Sequence, residues 1–493
     1  MLSVQNLSFH YPGDETWALD HLSLEINQGE WIVLAGKSGC GKSTLALALG
    51  GFLFNQYPEQ IEGTLIVDGL DARATPLYEI ADRVGLVQQN PEAQFCTLMV
   101  EDEIVFGLEN RRLALVEIEE RLEWALDVTS CLHLRERSLA SLSGGEKQKI
   151  AIAAMLAAKP NILIFDEPTS NLDPSATAEI FKVIQQIRER TAITVIVIEH
   201  KLNFMRKFQP RLIEMQAGKI VRDQPLDTWQ QPAYKNKNPL TGRLDAEACL
   251  ALRDVSAGYD QEPFLEKINL EVFPGELVAV MGDNGSGKST LLQTIANLIQ
   301  PVQGSVVLSG ENTANLPVSQ IARWLGYIFQ NPAHQLFANS VWEEAIFAPI
   351  NFGILDEAME AAARLLLQRA GLQEREKAHP FLLSYGQMRR LNLISVLVYR
   401  PKLYLLDELL IGQDVENGMF LLEQLQGMLQ QGAAVVMVNH NPEAVSAFAT
   451  RIVFMEAGRI LFDLPVQAGF ARLAEMGKLA YLPSAYRDQG SVH

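Results

Sequence analysis

The feature that most restricts what this chain can fold into is repetition: its 493 residues carry the same ordered set of short motifs twice. "GKSGCGKST" at residues 36–44 returns 246 residues later as "GDNGSGKST" at residues 282–290. "VGLVQQNPEAQF" returns as "LGYIFQNPAHQLF" and "LIFDE" as "YLLDE", with Gln330 and Asp407 each 241 residues after Gln89 and Asp166. "VIVIEH" returns as "VVMVNH", with His440 following His200 by 240 residues. The order is kept and the offset drifts by only a few residues, so a whole domain is duplicated, in contrast to a solenoid of short repeats. The length agrees, being too great for one ordinary domain. Between the copies the apolar pattern fades into "RDQPLDTWQQPAYKNKNPLTGRLDAEA", a polar stretch with three prolines that suits a linker. We therefore expect a first domain over 2–235, a linker over 236–247, a second domain over 248–480 and a tail over 481–493.

In each copy a short apolar run leads straight into the glycine-rich loop, and an apolar helical stretch follows ("STLALALGGFL", "STLLQTIANLI"). Strand, GxxxxGK[ST] loop and helix together expose backbone N–H groups and a helix N-terminus to phosphate oxygens. The candidate ATP-binding residues are Gly36, Lys37, Ser38, Gly39, Cys40, Gly41, Lys42, Ser43 and Thr44 in the first copy. In the second they are Gly282, Asp283, Asn284, Gly285, Ser286, Gly287, Lys288, Ser289 and Thr290. Lys42 and Lys288 are expected to meet the β- and γ-phosphates, and Ser43 and Ser289 to hold Mg²⁺. One chance match in a long chain is possible; two in register, each between a strand and a helix, are not.

Farther on, an apolar run ends in Asp166-Glu167 in the first copy and in Asp407-Glu408 in the second. A buried strand ending this way sets its first carboxylate near a metal and leaves the second to orient water. Such pairs seen alone are usually plain surface residues; a phosphate loop upstream in each copy selects the functional reading. His200 and His440 each close a β-rich run, where a histidine can hydrogen-bond a γ-phosphate and sense its loss.

Phosphate loop, glutamine after a strand, LSGG-type loop, acidic strand end, "NLD" and histidine, in that order, resemble the ATP-binding cassette (ABC) ATPases over nearly the whole chain, twice. The resemblance implies an α/β fold of two tandem P-loop ABC ATPase domains, each with a mixed sheet core and a helical subdomain, using ATP and Mg²⁺. It implies that Tyr11 and Tyr259 stack on adenine. Gln89 and Gln330 would join Ser43, Asp166, Ser289 and Asp407 around the metal. Glu167, His200, Glu408 and His440 would be catalytic, and Asp173 and Asp414 would lie in loops crossing between halves. In the family two cassettes face head to tail, so the fused halves are expected to pair within one chain, at high effective concentration. Site one would join the first phosphate loop to Ser384, Tyr385, Gly386 and Gln387; site two would join the second to Ser143, Gly144, Gly145 and Glu146.

The second copy departs from the pattern twice. "LLSYGQMRR" puts Tyr385 where "LSGGEKQK" has Gly144, and a Cβ there can obstruct a close approach of backbone to phosphate. Ser384 and Gly386 remain, so site one is expected to be altered but active in binding. "DEPTSNLD" becomes "DELLIGQD", which is expected to loosen the turn after the acidic strand, although Asp414 keeps the register of Asp173. Both sites are expected to bind ATP and at least one to hydrolyse it rapidly.

Lys and Arg number 41 against 59 Asp and Glu, a net charge of −18 that argues against a nucleic-acid partner. Four scattered cysteines without metal-ligand spacing suit a reduced, cytosolic compartment. No stretch reaches the roughly 18 to 20 apolar residues of a membrane span, so a membrane role must run through partners. The segments "NPEAQFCTLMVEDEIVFGLEN" and "NPAHQLFANSVWEEAIFAPINFG" resemble those of energy-coupling factor (ECF) transporter ATPases. That resemblance implies a transmembrane coupling protein seated in a groove here, and a separate membrane substrate-binding subunit. It also implies import of a vitamin or metal ion, and a peripheral place on the cytoplasmic face of the cell membrane. Phe95, Met99, Val100 and Phe106 either line that groove or belong to the core. The alternatives are a tandem sugar-importer ATPase, against which the "NPxxQ" segments argue, and a soluble translation-associated ABC protein, which would carry a longer charged linker.

Overall fold

The computed structural model describes residues 2–13, 16–170, 172–229, 233–235, 247–259, 262–411 and 413–487, so the expected linker lies outside the described residues except for Glu247. The chain divides into two compact units, Met1–Gln231 and Pro232–His493.

The first unit holds two sheets. β1 (Leu2–Phe9), β2 (Leu19–Ile26), β4 (Ile61–Val67) and β5 (Leu70–Asp71) form an antiparallel sheet in the order β2-β1-β4-β5. The second sheet uses β3 (Trp31–Gly36), β6 (Val84–Val87), β7 (Ile162–Asp166), β8 (Thr194–Ile198), β9 (Arg211–Gln216) and β10 (Lys219–Pro225). Its order is β10-β9-β3-β8-β7-β6, parallel except for the antiparallel edge strand β10. β8 is buried at all five positions and β7 at every position before Asp166, as expected of parallel strands covered on both faces. β10 alternates instead, because one of its faces meets solvent.

Helices Val100–Glu109, Leu115–Val128 and Gly144–Ala157 share a separate apolar core that includes Ile104, Leu122, Cys131, Leu142 and Ile150. This helical subdomain follows Gln89, and the LSGG-type loop opens its last helix. Phe95 packs partly buried against it and Val100 is fully buried, whereas Phe106 is exposed.

The second unit repeats the plan. β11 (Leu250–Ala257), β12 (Leu265–Val272), β14 (Gln303–Leu308) and β15 (Glu311–Asn312) form the antiparallel sheet. β13 (Leu277–Met281), β16 (Leu325–Ile328), β17 (Leu403–Asp407), β18 (Ala434–Val438), β19 (Arg451–Glu456) and β20 (Arg459–Pro465) order as β16-β17-β18-β13-β19-β20. Its helical subdomain comprises Val341–Phe352, Glu357–Arg369 and Tyr385–Leu397. Past its last strand this unit continues into a helix, Val466–Glu475, and a turn that buries Tyr481. Among the described residues no helix is long and apolar enough to cross a membrane.

Candidate functional site

The phosphate loops sit where β3 and β13 end at the middle of their sheets. Gly36 has φ 145° and a Cβ there would lie 2.3 Å from the Met215 carbonyl oxygen; Gly282 has φ 149° and 2.2 Å from that of Met455. Only glycine lets the strand turn into the loop at that spacing. Lys42 then opens the helix Lys42–Leu49 and Lys288 the helix Lys288–Ile295. Each ammonium folds over its own loop: Lys42 Nζ donates to the carbonyls of Gly36 at 2.9 Å and Lys37 at 3.0 Å. Lys288 Nζ does the same to Gly282 at 2.9 Å and Asp283 at 2.8 Å. Cys40 is buried in this first loop, its sulfur 3.9 Å from Lys42 Nζ.

β7 and β17 bring the acidic pairs beside these loops. Ser43 Oγ donates to Asp166 Oδ1 at 3.0 Å. Burial, with the neighbouring Glu167, pushes Asp166 up to about 6 despite that bond. Asp407 is likewise raised to about 6, by burial and then by Glu408. Asp407 Oδ1 is buried and has no hydrogen-bond partner among the described residues. A desolvated carboxylate beside a serine hydroxyl is the donor set a hard divalent cation takes, so Mg²⁺ fits these residues.

The second carboxylate of each pair is held between two donors. Gln89 Nε2 donates to Glu167 Oε2 at 3.2 Å and His200 Nε2 lies 3.1 Å from Oε1. Gln330 Nε2 donates to Glu408 Oε2 at 2.7 Å and His440 Nε2 lies 3.0 Å from Oε1. A carboxylate only accepts, so each histidine donates through Nε2. Burial pushes both glutamates up, but the histidine bond and the nearby lysine outweigh it and hold them below the usual range. Glu167 and Glu408 also have positive φ, 47° and 54°, a backbone conformation rare for non-glycine residues and common at functional sites.

The two LSGG-type loops are helix N-termini closed by capping boxes. Ser143 Oγ accepts from Glu146 N at 3.3 Å while Glu146 Oε2 accepts from Ser143 N at 2.8 Å; Ser384 and Gln387 repeat the pattern. A Cβ on Gly144 would meet nothing nearer than Leu172 at 3.7 Å, so its counterpart Tyr385 begins its helix without strain. The tyrosine turns back on its own unit, its hydroxyl donating to the Gln330 carbonyl at 3.2 Å.

Asp173 caps the helix Pro174–Arg190 by accepting from Ala176 N at 2.8 Å, and Asp414 caps Val415–Gln430 by accepting from Asn417 N at 2.8 Å. The helix after "DELLIGQD" therefore begins with the same cap as the one after "DEPTSNLD". In the first unit Thr169 Oγ1 donates to the fully buried Glu199 at 2.8 Å. In the second Leu409 and Leu410 are buried in the core, and Asn439 stands where Glu199 was. Tyr11 is partly buried, edge-on to Phe9, with its hydroxyl 3.3 Å from Thr44 Oγ1. Tyr259 is exposed, its hydroxyl donating to Gln293 at 2.8 Å.

Three groups escaped the sequence reading. Glu103 accepts from Cys96 N and Thr97 N, both at 2.9 Å, and Glu344 accepts from Phe337 N and Ala338 N at 2.8 and 2.9 Å. These buried carboxylates fix the segment after each glutamine, and their recurrence at the common offset of 241 was the available signal. Arg389, 1 % exposed, reaches the backbone of Gln330 and Glu408. Lys478 and Tyr481, beyond the last strand, hold Asp283 of the second phosphate loop at 3.0 and 2.7 Å.

A glycine-rich loop between a central strand and a helix, with a metal-suited aspartate and a glutamate poised for water, defines a P-loop nucleotide hydrolase. A model of the ABC transporter family matches residues 19–170 and 265–410. A Methanosarcina mazei protein, provisionally named an ABC transporter ATP-binding protein, is 31% identical over 98% of this chain and 92% of its own length. YkoD of Bacillus subtilis, provisionally named an HMP/thiamine import ATP-binding protein, is 32% identical over 94% of this chain and 91% of its own length. The structure of archaeal ribosome recycling factor aABCE1 with ribosomal stalk protein aP1 has TM-score 0.64 and 18% identity, covering 96% of this chain and 92% of that one, a likeness of fold.

The chain belongs to the ABC transporter family of ATP-binding proteins and is an ATPase with two fused cassettes. Members of this family bind ATP, normally with Mg²⁺, and generally work with transmembrane partners from the cytoplasmic side of the membrane.

Proposed function

We propose that this protein is the energy-coupling ATPase of an ECF-type membrane importer of the vitamin or metal-ion class, working through a transmembrane coupling protein and a separate substrate-binding subunit. The observation that carries the reading is an open apolar cleft of ≈ 260 Å³ in the second unit. Leu298, Ile321, Tyr327, Phe337, Phe347 and Phe352 line it, and Phe337 and Phe347 are exposed. It lies beside the segment after Gln330, so a helix seated there would touch the chain a few residues from Glu408's partner. Exposed aromatic side chains around a concavity are the surface an amphipathic or membrane-protein helix covers. The import named for YkoD falls in the same class of solute.

In this reading Lys42 and Lys288 release their loop carbonyls for the β- and γ-phosphates of ATP. Ser43 with Asp166, and Ser289 with Asp407, would hold Mg²⁺, whose charge would offset that of the phosphoryl group. Glu167 and Glu408, ionised at neutral pH and fixed by glutamine and histidine, accept a hydrogen bond from the attacking water and aim it at the γ-phosphorus. Ser143–Glu146 and Ser384–Gln387 present helix N-termini to the ATP of the opposite cassette. Asp173 and Asp414 serve the crossing loops, and Tyr11 and Tyr259 the adenine.

Flotation of membranes containing the candidate partners tests the reading. The intact protein should float with them, and the double substitution Phe337→Asp, Phe347→Asp should not, while its ATP turnover in solution persists. Sedimentation of the intact protein with ribosomes in place of membranes would favour the translation-associated alternative and refute the import assignment.

A further inference from the structure

We propose that Arg389, together with Tyr385, is a positioning residue for ATP hydrolysis in the second cassette, one that makes its signature helix and the backbone of Gln330 and Glu408 a single rigid piece. Arg389 Nη1 donates to the Glu408 carbonyl at 2.7 Å and Nη2 to the Gln330 carbonyl at 2.6 Å. Nη2 also donates to the Tyr385 hydroxyl at 3.0 Å, which itself donates to Gln330 O at 3.2 Å. The guanidinium carbon lies 5.1 Å from the tyrosine ring centre, and the side chain is 1 % exposed. The Gln330 carbonyl thus accepts from two side chains of one helix turn. A planar fork of donors suits this task and lysine does not.

The duplicated half supplies an internal control. At the common offset Gly144 stands for Tyr385 and Gln148 for Arg389. Gln148 is buried, and its Nε2 has no partner among the described residues. Tyrosine and arginine, one helix turn apart, therefore replace a glycine and a glutamine together and build a connection that the first cassette makes with neither residue. Glu167 and Glu408 share the same uncommon backbone conformation, φ 47° and 54°, and in the second cassette Arg389 adds a direct hydrogen bond to that backbone. Arg389 touches neither phosphate nor water in this account, and acts through the two residues whose side chains meet at 2.7 Å. Tyr385 is then a working part of its own cassette as well as a change in the loop offered to the other. Ser384 begins the same helix, so a pull on the signature loop is transmitted to Gln330 and Glu408 without slack.

This inference rests on the assignment of Glu408 and Gln330 to hydrolysis. It is tested with Arg389→Gln, Arg389→Lys and Tyr385→Phe in full-length protein, in a Glu167→Gln background that leaves the second site to be read alone. Arg389→Gln should lower kcat about tenfold to a hundredfold, the range for losing charge-assisted hydrogen bonds, with KM for ATP little changed. Arg389→Lys should restore only part of kcat, and Tyr385→Phe should cost less than Arg389→Gln. In a Glu408→Gln background, Arg389→Gln should lower the turnover remaining at the first site much less, because Arg389 bears on that site only through the signature helix and not through Gln330 and Glu408. An equal loss in both backgrounds would overturn the proposal in favour of a general folding role, and an unchanged kcat in the Glu167→Gln background would also overturn it. Failure of the underlying assignment looks different: Glu408→Gln would then leave turnover intact in the Glu167→Gln background.

Discussion

Tyr481→Phe should weaken ATP binding at the second phosphate loop and leave the first untouched. Tyr481 is fully buried, stacked edge-on to Phe454 at 5.3 Å, and its hydroxyl donates to Asp283 Oδ1 at 2.7 Å. Phenylalanine keeps the ring and its packing and removes only the hydroxyl. A hydrogen bond to a charged group contributes ~1.5–3 kcal/mol, but Asp283 is 36% exposed and keeps Lys478 at 3.0 Å, so water recovers part of that. We take about 1.4 kcal/mol for the loss. If all of it goes into letting the loop leave its binding conformation, the apparent Kd rises at most about tenfold. Titration with a fluorescent ATP analogue, in a Lys42→Ala background that silences the first loop, reads this directly. A Kd unchanged there, or an equal rise in a Lys288→Ala background, would refute the idea that the segment beyond the last strand braces the second phosphate loop.

Turnover should fall as pH drops through about 6, because Asp166 and Asp407, both raised to about 6, take up protons that compete with Mg²⁺. The same raised values make folding less favourable as pH rises from about 4 to 6, where the unfolded chain has released those protons and the folded one still holds them. Raising Mg²⁺ at pH 5.5 should restore part of the lost rate. Thiol reagents should label exposed Cys96 first in native protein and buried Cys40 slowly, with ATP slowing Cys40 further; peptide mass analysis over time checks the order. Leu409→Thr should lower stability by roughly 2 kcal/mol, because a fully buried leucine is truncated and a hydroxyl enters an apolar core. Chemical denaturation measures that loss.

Much of the site was legible because its chemistry lies in short stretches whose order the duplication repeats. The phosphate loops, acidic strand ends and histidines stand together in each unit, Glu167 with Gln89 and His200, Glu408 with Gln330 and His440. Side-chain direction was not legible. Tyr385 reads in sequence as an obstruction to a phosphate, and only the fold shows it turned to Arg389 and the Gln330 carbonyl. "DELLIGQD" reads as a damaged loop, because the change from Glu199 to Asn439 lies on another strand end. Together they exchange the buried Thr169–Glu199 pair for a buried leucine and an asparagine that accepts from Asn441 N, and the cap at Asp414 is present. The brace on Asp283 was beyond reach, since Lys478 lies 195 residues away and neither residue belongs to a periodic pattern.

ATP turnover by the intact chain carrying Glu167→Gln, Glu408→Gln or both is the most direct test of the account, which holds that each unit contributes one water-orienting carboxylate. The double variant should be inactive, and under the proposed reading, in which the loop that keeps both glycines serves the second site, Glu408→Gln alone should cost more than Glu167→Gln. Turnover by the double variant close to that of the unsubstituted chain would contradict the account at its centre.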